Sequence, residues 1–323
     1  MALWQELRYT IRGLLQHWAP KPTFSVDQIP DLTGQVCIVT GGYGGIGREI
    51  TKTLLLHNAK TYVAGRSRSK AEAAIEELYS STGKRALFLD VDLSSLESVR
   101  KAAEDFLTKE SRLNMLFNNA AVMGVDPKVL TVDGYDMQFG TNVLGHWYLT
   151  ELLMPALLRG RESSSDGRSR IITTSSAGAY FTSLLWDTFD DVPERKKMPT
   201  MTLYFQSKLV QLGPQILRRL EPILTLHQGN AVVNAFLLRY MKPRDYQAHS
   251  GEARSSISRN HGAFYNWFAS FVSYPTPMGA LTSLYAGTMP EAVQYNGQFV
   301  VPWARPARKK FTIPKSVRGY GTG

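Results

Sequence analysis

The chain has 323 residues, 43% of them hydrophobic, a single cysteine and a formal net charge of +10. That supplies material for a sizeable core and excludes a disordered chain, while the lone Cys37 excludes an intrachain disulfide and a cysteine-cluster metal site and fits a reducing compartment. The charge first suggests nucleic acid or an anionic membrane, but six basic residues with no acid (Arg305, Arg308, Lys309, Lys310, Lys315, Arg318) lie after position 304; removing those six from +10 leaves +4, so no nucleic-acid partner is expected.

Residues 1–24 read as a separate amphipathic helix. Leu3, Trp4, Leu7, Ile11, Leu14, Leu15 and Trp18 recur at helical spacing, and Pro20 and Pro22 end the pattern. Such a helix can pack on its own domain, on a partner subunit in a homo-oligomer, or at a membrane surface together with the basic tail 305–323. No run reaches the roughly 18–20 apolar residues of a membrane span, and no compact apolar stretch precedes a small-residue cleavage site, so a cytoplasmic protein is expected, with peripheral membrane contact left open.

From residue 25 to 304 strands and helices alternate. Gln35–Thr40 predicts a strand, Gly41–Gly47 a glycine-rich turn and Arg48–His57 a helix. Thr61–Ala64 (strand), Ala71–Tyr79 (helix), Ala86–Leu89 (strand) and Leu96–Leu107 (helix) follow, the last opened by Ser94 with Glu97 three later, a capping-box spacing. Met115–Asn118, the helical stretch Thr141–Leu158 and Arg170–Thr174 continue the rhythm. Such alternation implies one α/β domain with a doubly wound parallel sheet.

Thr40-Gly-Gly-Tyr-Gly-Gly-Ile-Gly47 leaves a predicted strand and enters a predicted helix, where main-chain amides and the helix N-terminus can hold a pyrophosphate. Gly41, Gly45, Ile46 and Gly47 are the candidate contacts. The next strand ends Gly65-Arg66-Ser67-Arg68-Ser69-Lys70, with no acid to hold a ribose 2′-hydroxyl. Arg66 can pair with a 2′-phosphate, with Arg68 and Lys70 adding to the field, which points to NADP(H). Further along, Tyr204-Phe-Gln-Ser-Lys208 sets a phenol and an ammonium four residues apart, on one helix face. A phenol titrates near ~10 and is a weak base at neutrality, and a neighbouring ammonium favours its ionised form.

With these two motifs the sequence resembles the short-chain dehydrogenase/reductase family over residues 33–303. The resemblance implies a Rossmann fold and extends in order to Asp92-Leu93-Ser94, as the adenine-holding motif, and to Asn118-Asn119-Ala120-Ala121, where Asn119 would contact the dinucleotide. It also covers Asn142 in Thr141-Asn-Val-Leu-Gly145, as the anchor of a water-mediated proton relay, and a serine pair, Ser176 and then Ser175, as the hydroxyl that binds the carbonyl. It implies a concerted reaction in which Tyr204 transfers the proton and Lys208 supports it and holds the nicotinamide ribose. The twenty-eight residues from Ser176 to Tyr204 exceed the spacing of compact members. The insertion, Tyr180–Thr202, carries Phe181, Trp186 and Phe189 and is similar to the retinol-dehydrogenase-like branch, which implies a lipophilic aldehyde, ketone or secondary-metabolite intermediate as partner. The segment Asn296-Gly-Gln-Phe-Val-Val-Pro-Trp303 is similar to fungal members of that branch.

Two features depart from the family. His227-Gln228-Gly229-Asn230 lacks the proline usual there, and Pro214 interrupts what the family continues as a long helix. The alternative reading is therefore a catalytically weakened nucleotide-binding regulatory or interaction protein. His146, four residues after Asn142, is assigned no role, and no His/Asp/Glu spacing suggests a catalytic metal.

Overall fold

The computed structural model describes residues 20–211, 231–237 and 275–306. The expected helix at 1–24 (apart from its last residues), Pro214, 227–230 and the tail beyond 306 lie outside them.

β1 (Val36–Thr40) shows why the chain alternates as it does. All five of its residues are buried, because helices cover both faces of the sheet. Its side chains divide by pleat: Val36 and Ile38 enter one core, Cys37 and Val39 the other. The elements that follow are α1 (Gly45–Leu56), β2 (Lys60–Gly65), α2 (Arg68–Thr82), β3 (Leu87–Asp90), α3 (Leu96–Lys109) and β4 (Met115–Asn118). Next come α4 (Met137–Phe139), a π turn (Gly140–Leu144), α5 (Gly145–Gly160), β5 (Arg170–Ser176), α6 (Pro193–Lys196) and α7 (Thr200–Val210). β6 (Ala231–Leu237), α8 (Thr276–Thr288), β7 (Phe299–Val301) and β8 (Arg305–Pro306) complete the described fold.

The strands form one sheet in the order β3-β2-β1-β4-β5-β6-β7-β8, parallel except for the short β7–β8 pair. Strand order reverses between β1 and β4, and the carboxyl ends of strands at such a switch point are where open α/β sheets bind ligands. On one face α3 and α5 pack through Val99, Phe106, Leu149 and Leu153. On the other, α1 and α8 pack through Ile50, Leu54, Ala280 and Leu284. A third cluster ties the π turn, the insertion and α7 together through Val143, Phe189 and Leu209.

Three local expectations need correction. α1 starts at Gly45, not Arg48, so two of the turn glycines already belong to the helix. α3 is capped by Ser95, whose hydroxyl accepts from Ser98 N, and not by Ser94. Ser94 instead donates from both its amide and its hydroxyl to Asp92 Oδ1, at 2.9 and 2.7 Å. The helix expected at 141–158 begins at Met137, because the Asp136 carboxylate accepts from Gln138 N and Phe139 N, and it passes through the π turn. Among the described residues no helix is long and apolar enough to cross a membrane.

Candidate active site

The turn after β1 is shaped by main chain. Gly41 has φ +65, a conformation that side chains resist, and the turn after β4 crosses it closely, with Ala120 Cα 3.3 Å from where a Cβ would stand. Gly47 lies deeper: a Cβ there would stand 2.4 Å from Gly41 O and 2.6 Å from Asn119 Nδ2. Gly45 opens α1, and Ile46 packs half-buried against the second core. Asn119 braces the turn, donating from Nδ2 to Thr40 O and from its amide to Thr40 Oγ1, both at 2.9 Å.

At the end of β2, Gly65 lies beneath the ring of Tyr43, whose Cε1 would be 2.3 Å from a Cβ. Arg66 is exposed and makes no ion pair among the described residues. Arg68 differs. It pairs with Asp90 at 3.3 Å and Glu72 at 3.8 Å and lies over the Phe88 ring, so the carboxylate beside Gly65 on β3 is ion-paired with Arg68. Lys70 is exposed. Asp92 is half-buried, and Leu93 is packed into the first core.

At the end of β5 the site is made of buried side chains. Lys208, on α7, is almost fully buried and donates to Thr174 O and Gln211 Oε1, each at 2.9 Å. Its Nζ lies 5.8 Å from the ring centre of Tyr204 one turn earlier. Burial pushes the lysine down to about 7. The serine pair divides: Ser175 is buried and donates to Lys208 O at 2.7 Å, whereas the Ser176 hydroxyl, half-buried at the strand's end, accepts from Gly178 N at 3.1 Å. Ser175 therefore braces α7, and the Ser176 hydroxyl is the one not tied to that helix.

Asn142, in the π turn, is wholly buried. Its side chain bonds Val122 N and O at 2.8 and 3.0 Å and Ser207 Oγ at 3.0 Å. Its main-chain oxygen accepts from Gln211 Nε2 at 2.6 Å and His146 Nδ1 at 3.0 Å.

His146 and Gln211, to which the sequence pattern gives no role, and Thr40, which it places at the head of the glycine turn, join these two groups. A carbonyl only accepts, so His146 must carry its proton on Nδ1; as a neutral ring its Nε2 then accepts from Thr40 Oγ1 at 2.8 Å. Burial pushes His146 down to about 4, which keeps it neutral. Thr40 meanwhile accepts from Asn119 N and Ala120 N. The third residue is Gln211. The available signals were helical spacing: His146 is four residues after Asn142 and Gln211 three after Lys208, each on its neighbour's face.

The insertion is anchored rather than loose. Arg195 is fully buried and pairs with Asp136 at 3.5 Å and Asp191 at 3.2 Å, and Gln206 of α7 accepts from Leu185 N at 2.7 Å. Of its aromatics, Phe189 is stacked on Phe139 at 4.1 Å and belongs to the packing, while Phe181 is exposed. The Trp186 side chain lies outside the described residues.

A glycine turn at the switch point of a doubly wound sheet, with a buried Tyr–Lys pair beside the end of β5, belongs to the class of Rossmann-fold oxidoreductases. The short chain dehydrogenase family model matches residues 35–186. A short-chain dehydrogenase/reductase of Armillaria gallica is 44% identical over 305 residues, spanning 93% of this chain and 92% of the relative. One from Phomopsis amygdali is 33% identical, spanning 94% and 88%, and mouse retinol dehydrogenase 11 is 34% identical, spanning 79% and 73%. Among solved structures, a Mycobacterium paratuberculosis protein matches with TM-score 0.61 at 24% identity over 89% of both chains. The Pseudomonas aeruginosa RhlG/NADP active-site complex matches with 0.58 at 22% identity, over 84% of this chain and 96% of that one; these two share the fold. The chain belongs to the short-chain dehydrogenase/reductase family.

Proposed function

We propose that this chain is an NADP(H)-dependent oxidoreductase that interconverts a carbonyl and an alcohol on a lipophilic small molecule. One observation carries the cofactor choice. At the end of β2, Gly65 offers no carboxylate, Asp90 is held by Arg68, and Arg66 is an exposed guanidinium with no ion-pair partner among the described residues. A planar guanidinium is suited to a phosphate in a way it is not to a bare ribose. The turn supports a dinucleotide reading as well, since Gly47 packs against Gly41 O and Asn119 Nδ2 with no room for even a methyl group, a close approach of helix and turn that such sites require.

A nicotinamide dinucleotide supplies hydride chemistry when bound. The chain supplies the proton and the geometry. Ser176 donates a hydrogen bond to the substrate oxygen, and the Tyr204 phenol delivers its proton there in reduction and takes it back in oxidation. Lys208 holds its ammonium 5.8 Å from the ring centre, stabilising negative charge as it develops on the phenol oxygen. Exposed Phe181 and Leu185 on the insertion support an apolar substrate.

Calorimetry against both dinucleotides tests the reading. NADPH is expected to bind at least tenfold tighter than NADH, about 1.4 kcal/mol, and Arg66→Asp to reverse the order. Equal affinities would overturn the cofactor assignment. Turnover of a panel of aldehydes, ketones and alcohols then tests the substrate class.

A further inference from the structure

Between Lys208 and Asn142 the structure sets a side chain. Gln211 stands on the turn after Lys208, is almost completely buried, and spans the gap: Oε1 accepts from Lys208 Nζ at 2.9 Å and Nε2 donates to Asn142 O at 2.6 Å. Its partners fix which way the carboxamide faces. An ammonium only donates and a main-chain carbonyl only accepts, so the flipped amide would oppose donor to donor and acceptor to acceptor. With His146 Nδ1 also on the Asn142 oxygen, both lone pairs of that carbonyl are occupied.

We propose that Gln211 is a positioning residue for the Lys208 charge, its carboxamide locking the ammonium to Asn142 and filling with a fixed side chain the place where the family resemblance implies a water. This rests on reading Lys208 as part of the proton-transfer machinery. The acceptor matters because Lys208 is buried and, among the described residues, bonds to two oxygens, Thr174 O and Gln211 Oε1. The surrounding elements add little compensating charge. Tyr204 shares α7, neutral His146 faces it from α5, Tyr180 lies on the turn at 177–181, Asp136 at the head of α4 is held by Arg195, and Arg170 sits at the opposite end of β5.

The test is a direct titration of Lys208 in the full-length protein without substrate. Lysine labelled with carbon-13 at Cε is followed by NMR, and the Lys208 signal is identified by its loss in Lys208→Arg. Gln211→Glu keeps the shape and adds a negative charge, so the Lys208 midpoint is expected to rise by about one pH unit or more. Gln211→Leu removes the acceptor and is expected to lower it; Gln211→Asn, too short to span the gap, is the substitute if the leucine variant does not fold. A merely structural role would lower the melting temperature of these variants and leave the midpoint in place, and equal midpoints in wild type, glutamate and leucine (or asparagine) proteins overturn the proposal. NADPH binding to the wild type, measured alongside by fluorescence, tests the dinucleotide reading separately: its failure would remove that reading without moving the midpoints.

Discussion

At the ends of β1 and β2 the site is built from what side chains leave out; at the end of β5 it is built from side chains that are buried. Gly41, Gly47 and Gly65 give the first region its form, and its candidate charges, Arg66 first among them, are exposed. The second holds Asn142, Ser175, Lys208, Gln211 and His146 away from solvent, each with a named hydrogen-bond partner. A region made of main chain tolerates little added volume, and its charged side chains stand in solvent. A buried polar network has the opposite weakness: its donors and acceptors are matched one to one, so any change in protonation disturbs it. Perturbations can be chosen that strike one region and spare the other.

The largest effect is expected in the buried region. Tyr204→Phe keeps the ring and removes the proton, so turnover should fall by a factor on the order of 10² or more while NADPH affinity is retained. Steady-state rates on a verified substrate, with a parallel binding titration, decide it. Near-normal turnover would show that Tyr204 is not the proton donor.

Next comes the main-chain region. In Gly47→Ala the new methyl would stand 2.4 Å from Gly41 O, a backbone atom that cannot swing aside. The turn must shift, at a cost of about 1–3 kcal/mol. NADPH affinity should fall roughly tenfold or more, with the Lys208 titration unchanged. A variant that binds as tightly as wild type would refute the view that this turn cradles the dinucleotide.

The same region offers a conditional prediction of about tenfold. Gly65→Asp introduces the acid that favours NADH, but the Tyr43 ring occupies the space its Cβ needs, at 2.3 Å. The single variant should bind both dinucleotides weakly. Gly65→Asp with Tyr43→Ala should bind NADH in preference to NADPH by about tenfold. If the single variant already shows the full reversal, Tyr43 does not gate the position.

The difference between the two regions also decides what was legible in the sequence. Glycine spacing, the strand before it and the helix after it are local, so the turn at 40–47 could be read from consecutive residues. The sheet was legible for the same reason: β4 was expected at 115–118 and lies there, since a run buried on both faces reads as continuously apolar. The buried region was legible only where resemblance supplied names. Ser175 and Ser176 are chemically alike, and only the bond from Ser175 to Lys208 O, thirty-three positions away, separates them. Thr40 and His146 meet across 106 positions and Gln211 and Asn142 across 69, distances over which no periodicity carries information. The misread caps have a related cause. Ser94 and Ser95 are equally good caps by type, and the choice falls to Ser95 because Asp92 engages Ser94.

The smallest predicted effect concerns the residue that joins the two regions. His146 is buried and neutral, held down to about 4 against an ordinary value of 6.5. A histidine whose folded value is depressed binds no proton in the native state where the unfolded chain already does, so stability should fall as pH drops below about 6.5 and level off near 4. Above 6.5 both states are neutral and His146 contributes no slope. The expected loss is about 1 kcal/mol between pH 7 and pH 5.5. His146→Gln places an amide between the same partners without a titrating ring, and denaturant unfolding at the two pH values should show that this part of the acid sensitivity is gone. Because Thr40 bonds the turn after β4 and His146 bonds Asn142, charging the ring would turn Nε2 into a donor toward an oxygen that already accepts two amides, send the Thr40 hydroxyl to Phe117 O at 3.2 Å, and so weaken the link between the dinucleotide turn and the π turn. NADPH affinity and Lys208 burial should then weaken together below pH 5. An acid slope that persists unchanged in His146→Gln would assign it to other groups and leave the two regions independent.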